Sequence, residues 1–189
     1  MPPSCATVLL SCASRRRSEM GKPRRRKNRL QGYDYSRTGW YFVTICTKGR
    51  EHFFGTIVGG DVHIAPHIEL SKIGKIVDHT IAAMPTVDKY VIMPNHIHVI
   101  FRIPAPGDGP MRTSAPTESI PMVVRFLKRD VTMAYGFSIW QKSFHDHIIR
   151  GEADYLRIWH YIDTNPAKWR EDCYYKDGDL ECPRTIKPT

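Results

Sequence analysis

Two histidines one residue apart, His96 and His98, stand inside the apolar run IMPNHIHVIF (92–101). A tyrosine and an asparagine four apart, Tyr161 and Asn165, share the segment YIDTNPAKW (161–169). Imidazole nitrogens and an amide oxygen are ligands for a divalent cation. A phenol is a covalent nucleophile once its pKa is brought down from about 10. Each group also has a plainer reading. Two imidazoles can be buried packing residues, and a tyrosine on a helix commonly packs its ring and wets its hydroxyl. Spacing alone does not decide, because His145-Asp146-His147 repeats the pattern in the same chain.

The elements must then bring these groups together. Side chains alternate along a strand, so on HIHVIFRI (96–103) His96, His98, Ile100 and Arg102 share one face, and the imidazoles are roughly 7 Å apart at Cα. On a helix over 152–165, Tyr155, Ile158, Trp159 and Ile162 form the apolar face, with Asp154, Arg157, Tyr161 and Asn165 along its margin. Pro166 stops that helix and leaves the Asn165 amide oxygen free to act as a ligand. WYFVTICT (40–47) is apolar on both faces and reads as a central strand, with a second strand at 54–58 or 61–64 beside a turn at Gly59-Gly60-Asp61. A helix over 71–84 carries Ile73, Val77, Ile81 and Met84 and ends at Pro85, followed by a strand at 88–93. A flexible loop covers 104–116. A helix over 119–135 turns Ile120, Val123, Leu127, Val131 and Ala134 inward and Arg125, Lys128 and Arg129 outward, and a strand covers 142–150. The order β-β-α-β-β-α-β-α predicts a single α+β domain: an antiparallel sheet with helices on one face, related to ferredoxin-like topologies.

The net charge of +9 is concentrated rather than spread. Residues 15–29, RRRSEMGKPRRRKNR, hold nine basic residues and one acid; the rest of the chain holds 19 basic and 18 acidic residues. Residues 1–31 therefore read as a disordered basic arm whose Arg24, Arg25, Arg26 and Lys27 suit nucleic-acid phosphates. The folded domain is expected over 32–170 and a tail over 171–189. Residues 1–19 read as an upstream extension, since Met20 opens a natural start. Five cysteines without a CxxC pair fit reduced thiols in a cytoplasm, and no stretch is apolar enough to span a membrane.

Taken together, YVIMPNHIHVIF and YIDTNPAKW resemble the IS200-like tyrosine transposases of the HUH single-strand DNA transesterase superfamily, and most closely its repeat-associated (REP-associated) branch. The resemblance runs from GYDYSRTGWYFVTICTKGR (32–50) to residue 169; residues 1–31 and the loop 104–116 fall outside it. It implies that His96, His98 and Asn165 bind Mg²⁺ or Mn²⁺, and that Tyr161 attacks single-stranded DNA near hairpin or palindromic repeats. The product would be a 5′-phosphotyrosine that a second 3′-hydroxyl can resolve, joining a new strand without ATP. Imidazole-rich ligation alone points to Zn²⁺ or Mn²⁺. Arg125, Lys128 and Arg129 become candidate backbone contacts. Tyr33 and Tyr35 could stack on bases or pack at the strand entry, and Tyr174 and Tyr175 are poor nucleophiles in a charged tail. Family members occur as monomers and dimers, so a homodimer stays open. Two other readings remain: a catalytically silent, sequence-specific DNA-binding protein derived from a transposase, and a small zinc hydrolase using the His pair with a carboxylate base.

Overall fold

A computed structural model of the chain describes residues 32–60, 64–105 and 119–175. The basic arm with Arg24, Arg25, Arg26 and Lys27, most of the loop after residue 105, the tail beyond 175 and residues 61–63 lie outside the described residues. The elements run β1 (Gly39–Cys46), β2 (Gly55–Val58), β3 (His67–Leu70), α1 (Lys72–Ala82), β4 (Val87–Met93), β5 (His96–Ile103), α2 (Ile120–Tyr135), β6 (His145–Ile149) and α3 (Glu152–Thr164).

Four strands form one sheet in the order β4-β5-β1-β6, every neighbour antiparallel. Together with α1 and α2 they follow the chain order β-α-β-β-α-β, the ferredoxin-like arrangement, so the α+β expectation holds. β2 and β3 pair with each other as a separate ribbon. β3 went unread in the sequence: HIEL is four residues long, too short for alternation to stand out from a loop.

One feature of the layering differs from expectation. α1 and α2 cover the face carrying Tyr41, Val43, Ile45, Ile97, Val99 and Phe101, but α3 lies on the opposite face. There Ile158 and Ile162 bury against Ile100 and Ile149, flanked by Trp40, Phe42 and Val91. The cause is in β1 and β5, which are apolar on both sides and would leave Trp40, Phe42 and Ile100 in water if one face stayed bare.

Local signals set the helices. Ser71 caps α1, its hydroxyl accepting from the Gly74 amide at 3.0 Å and donating to the Phe53 carbonyl at 2.6 Å. Gly74 is needed there: a Cβ would stand 2.1 Å from the Phe54 carbonyl oxygen. α2 ends at Gly136 with φ 99°, a left-handed cap. Ile120, Val123, Leu127 and Val131 face the core as expected, but Val124 joins them and Ala134 is exposed. The outward side of α2 is not uniformly solvated either. Arg125 and Arg129 are exposed, whereas Lys128 is half-buried and donates to the carbonyls of Gln141 at 2.7 Å and Ser143 at 3.1 Å. Lys128 thus fastens the segment that enters β6, and burial pushes its pKa down to about 8. Tyr35 is buried in the main core, and the Tyr33 ring packs against Tyr35 and Tyr41, which favours the packing role for both.

Candidate active site

Pro94 and Asn95 form the two-residue turn between β4 and β5, and β5 begins immediately with His96. Asn95 is fully buried. Its amide nitrogen donates to the carbonyls of Arg50 at 3.3 Å and Tyr174 at 2.8 Å, so its Oδ1 is the atom that meets His96 Nδ1 at 2.8 Å. That acceptor fixes the proton on Nδ1 and leaves the lone pair of His96 Nε2 pointing away from the turn. His98 lies opposite Thr44 of β1, and its Nδ1 meets the Thr44 hydroxyl at 2.8 Å. Both Nε2 atoms converge, 2.9 Å apart, on rings that are almost wholly buried.

α3 delivers the other half. Ile158 and Ile162 seat the helix on the sheet, which turns Tyr161 toward β5. Its hydroxyl lies 3.2 Å from His98 Nε2, and its ring packs edge-on against Phe42 and His98. Asn165, one turn on, is buried; its amide nitrogen donates to Asp172 Oδ2 at 3.0 Å, and its Oδ1 is buried without a hydrogen-bond partner. Four of the residues singled out from sequence, His96, His98, Tyr161 and Asn165, therefore meet at one place.

A fifth residue was missed. Asp172 follows a single turn of 3-10 helix, Trp169–Glu171, that buries Trp169. Its Oδ2 accepts from the Tyr161 hydroxyl at 3.2 Å and stands 3.8 Å and 4.0 Å from the Nε2 atoms of His96 and His98. Its Oδ1 accepts from the Tyr174 amide at 2.7 Å. Residues 172–174, beyond the expected domain end at 170, make contacts within the site. Tyr174, set aside in the sequence as a tail residue, has its ring centroid 4.6 Å from that of His96. The signal that could have found this segment is Trp169 with Tyr174 and Tyr175, apolar anchors inside an otherwise charged stretch.

Electrostatics follow from burial. His96 is held well below its ordinary pKa by desolvation first and by His98 second, so it stays neutral and able to ligate. Burial works against an ionised Asp172, but the hydrogen bond from His98 and the Tyr174 amide outweigh it and hold the carboxyl well below the usual range. Burial, then the Asp172 charge, pushes the Tyr161 phenol upward. A phenol so placed would act as a nucleophile only with a positive charge beside it.

The donor set fits one. Among the described residues, His96, His98 and Asp172 form a group whose ligand atoms all lie within 4.8 Å of one another. Ligands about 2.1 Å from one ion stand roughly 3.0 Å apart in cis and 4.2 Å apart in trans. The separations of 2.9, 3.8 and 4.0 Å match that interval within a tenth of an ångström. The orphaned Asn165 oxygen is a further donor of the right kind. These residues can hold a divalent cation.

Other candidates fall elsewhere. His147 Nε2 bonds Asp154 at 2.7 Å and ties β6 to the first turn of α3, a structural role. His145 is exposed on the β6 edge, its ring centroid 6.4 Å from that of Tyr174. Arg129 pairs with its neighbour Asp130. No described helix is long and apolar enough to cross a membrane.

No family model matches the chain. A Haemophilus influenzae protein of uncharacterised function is 34% identical over 175 residues, covering 81% of this chain and 94% of that one. The REP-associated tyrosine transposase of Escherichia coli is 32% identical over 83 residues, 43% of this chain; the match spans 44% of that protein's length. A solved REP-associated tyrosine transposase bound to a REP hairpin shares the fold, with a TM-score of 0.50 at 24% identity over 79% of this chain and 74% of that one. The stretches that carry the resemblance now stand in one fold around one site, and over 83 of its residues this chain is similar in sequence to a REP-associated tyrosine transposase.

Proposed function

We propose that this chain cleaves and rejoins single-stranded DNA beside hairpin-forming repeats, by a metal-dependent transesterification with Tyr161 as nucleophile. The observation that carries the reading is the 3.2 Å approach of the Tyr161 hydroxyl to His98 Nε2, a phenol from the last helix reaching an imidazole of the central sheet. The hairpin substrate is taken from the solved relative, which is described as bound to one.

His96, His98 and Asp172, with Asn165, are the residues that would hold the cation; a mixed nitrogen and oxygen set fits Mn²⁺ better than an all-oxygen Mg²⁺ site. When bound, the cation polarises the phosphoryl oxygens and lowers the pKa of the phenol. Asn95 and Thr44 hold the two imidazoles in place through Nδ1, and Phe42 fixes the edge of the Tyr161 ring. Tyr161 Oη then attacks phosphorus as the bond to the 3′-oxygen breaks. The proton that the phenol gives up is taken by the departing oxygen, which leaves as a 3′-hydroxyl, and the 5′-phosphate stays on the tyrosine. A second 3′-hydroxyl reverses the step on a new strand. Arg125 and Arg129 on α2, and Arg24, Arg25, Arg26 and Lys27 of the arm, serve as contacts to the phosphate backbone. The silent DNA-binding reading draws on one observation, the upward push on the Tyr161 phenol.

Incubation with hairpin-bearing oligonucleotides and Mn²⁺, followed by a denaturing gel, separates the two. The expected result is a covalent adduct that disappears in Tyr161→Phe and persists in Tyr174→Phe, with DNA binding kept in both. An adduct that survives Tyr161→Phe, or none from folded wild-type protein that binds the DNA, overturns the transesterase reading.

A further inference from the structure

Arg50 is held in an unusual place by an unusual backbone. Among the described residues it is the one non-glycine with a positive φ, 58°, directly after Gly49 at 68°. Such a conformation is disfavoured for a residue with a side chain, and it persists where the surroundings require it, often at a functional site. The two left-handed residues turn the chain back after β1. As a result the Arg50 carbonyl accepts from Asn95, the residue that orients His96, and the guanidinium reaches residues 171–175, the strap over the site. Its Nη1 lies 3.3 Å from the Cys173 carbonyl and its Cζ is 5.4 Å from the centroid of the Tyr174 ring. That ring in turn packs on His96.

The guanidinium is poorly used by these contacts. One long bond to a neutral carbonyl and an aromatic face leave most of its N–H donors uncommitted, and among the described residues no carboxylate pairs with it. Its charge stands beside the donor cluster, separated from His96 by the Tyr174 ring. A fixed positive charge beside a cation site works against the cation unless an anion lies between them. A phosphodiester is such an anion: one oxygen can face the cation while the planar fork takes the others.

We propose that Arg50 binds a backbone phosphate of the DNA strand processed at this site. The inference rests on the single-strand reading above but not on cleavage. Arg50 neutralises charge on the bound strand and sets its register against Tyr161, while the left-handed backbone aims the side chain.

The test is binding of a hairpin oligonucleotide with a single-stranded flank, followed by fluorescence anisotropy across a salt series in Mn²⁺. It is run in the Tyr161→Phe background so that no adduct forms. Arg50→Gln should weaken binding about tenfold and reduce the slope of log affinity against log salt by ~0.7, one phosphate contact on a single strand. Mn²⁺ affinity without DNA, read by electron paramagnetic resonance, should stay the same or tighten. Arg50→Lys keeps the charge and loses the fork, so it should keep the salt slope and bind with intermediate affinity; it also serves if Arg50→Gln does not fold. Unchanged affinity and slope in both variants would overturn the proposal. So would a parallel fall in Mn²⁺ affinity and DNA binding, which would make Arg50 a tether for the strap. A wild-type protein that shows Arg50-dependent binding but forms no adduct would remove the transesterase reading and leave this one standing.

Discussion

Asn95 and Asp172 bear on the candidate cation site from two sides, one through an imidazole and one as a possible ligand of its own, and their removal should separate those roles. Asn95→Ala takes away the acceptor that keeps the proton on His96 Nδ1 and leaves the carbonyls of Arg50 and Tyr174 without their donor. Loss of such a supporting partner lowers metal affinity by about 10–100-fold, so Mn²⁺ binding followed by electron paramagnetic resonance should weaken by that order; unchanged affinity would mean that His96 is oriented by something else. Asp172→Asn keeps the shape and removes a charge from the donor set. It should weaken Mn²⁺ by at least about tenfold, roughly 1.4 kcal/mol, and an Asp172→Asn protein that binds Mn²⁺ as well as wild type would confine the carboxylate to positioning Tyr161 and Asn165. His96, His98, Tyr161 and Asn165 were legible in the sequence because strand and helix periods fix which way such residues face. Asn95 and Asp172 were not, since a two-residue turn and an irregular strap have no period to read, and Asp172 reaches Tyr161 from eleven residues away.

Whole elements succeed or fail by the same rule. The stripes on α1 and α3 were visible because every third or fourth residue is apolar, and both helices bury the expected residues, Ile73, Val77 and Ile81 in one and Ile158 and Ile162 in the other. The side of the sheet that α3 occupies was harder to read, since it follows from two-sided apolar strands rather than from the helix itself. Gly74 tests how closely α1 is seated. Alanine is the better helix former by about 1 kcal/mol, so on propensity alone Gly74→Ala would stabilise the protein. The added methyl, however, would sit 2.1 Å from the Phe54 carbonyl oxygen and 3.0 Å from its carbon, and Ser71 depends on the same carbonyl as an acceptor for its amide. Backbone cannot yield as a flexible side chain does, so packing strain of about 1–3 kcal/mol should win. Urea unfolding should show a net loss of stability, and a midpoint equal to or above that of wild type would mean that α1 slides freely over the ribbon.

At the scale of the molecule, charge is divided in a way that the fold does not share. The site draws its ligands from β5, the end of α3 and the strap, all within a body whose 19 basic and 18 acidic residues nearly balance, while residues 15–29 carry most of the net +9. Binding of the cation and attraction of the DNA backbone should therefore be separable. Replacing Arg24, Arg25, Arg26 and Lys27 together by alanine removes as many phosphate contacts as those side chains make. Each contact on a single strand contributes about 0.7 to the slope of log affinity against log salt, so the slope should fall by ~3 if all four engage. Affinity should drop most at low salt and converge with wild type as salt rises, because screening removes the same term from both proteins. Mn²⁺ affinity in the absence of DNA should not move, since none of the four supplies a ligand. The measurement is anisotropy of a hairpin oligonucleotide at several salt concentrations beside a metal titration of the same samples. A salt slope that does not change would show that the positive arm stays off the DNA and that the folded body alone holds the strand; a shift in Mn²⁺ affinity would show that the arm reaches the candidate cation site itself.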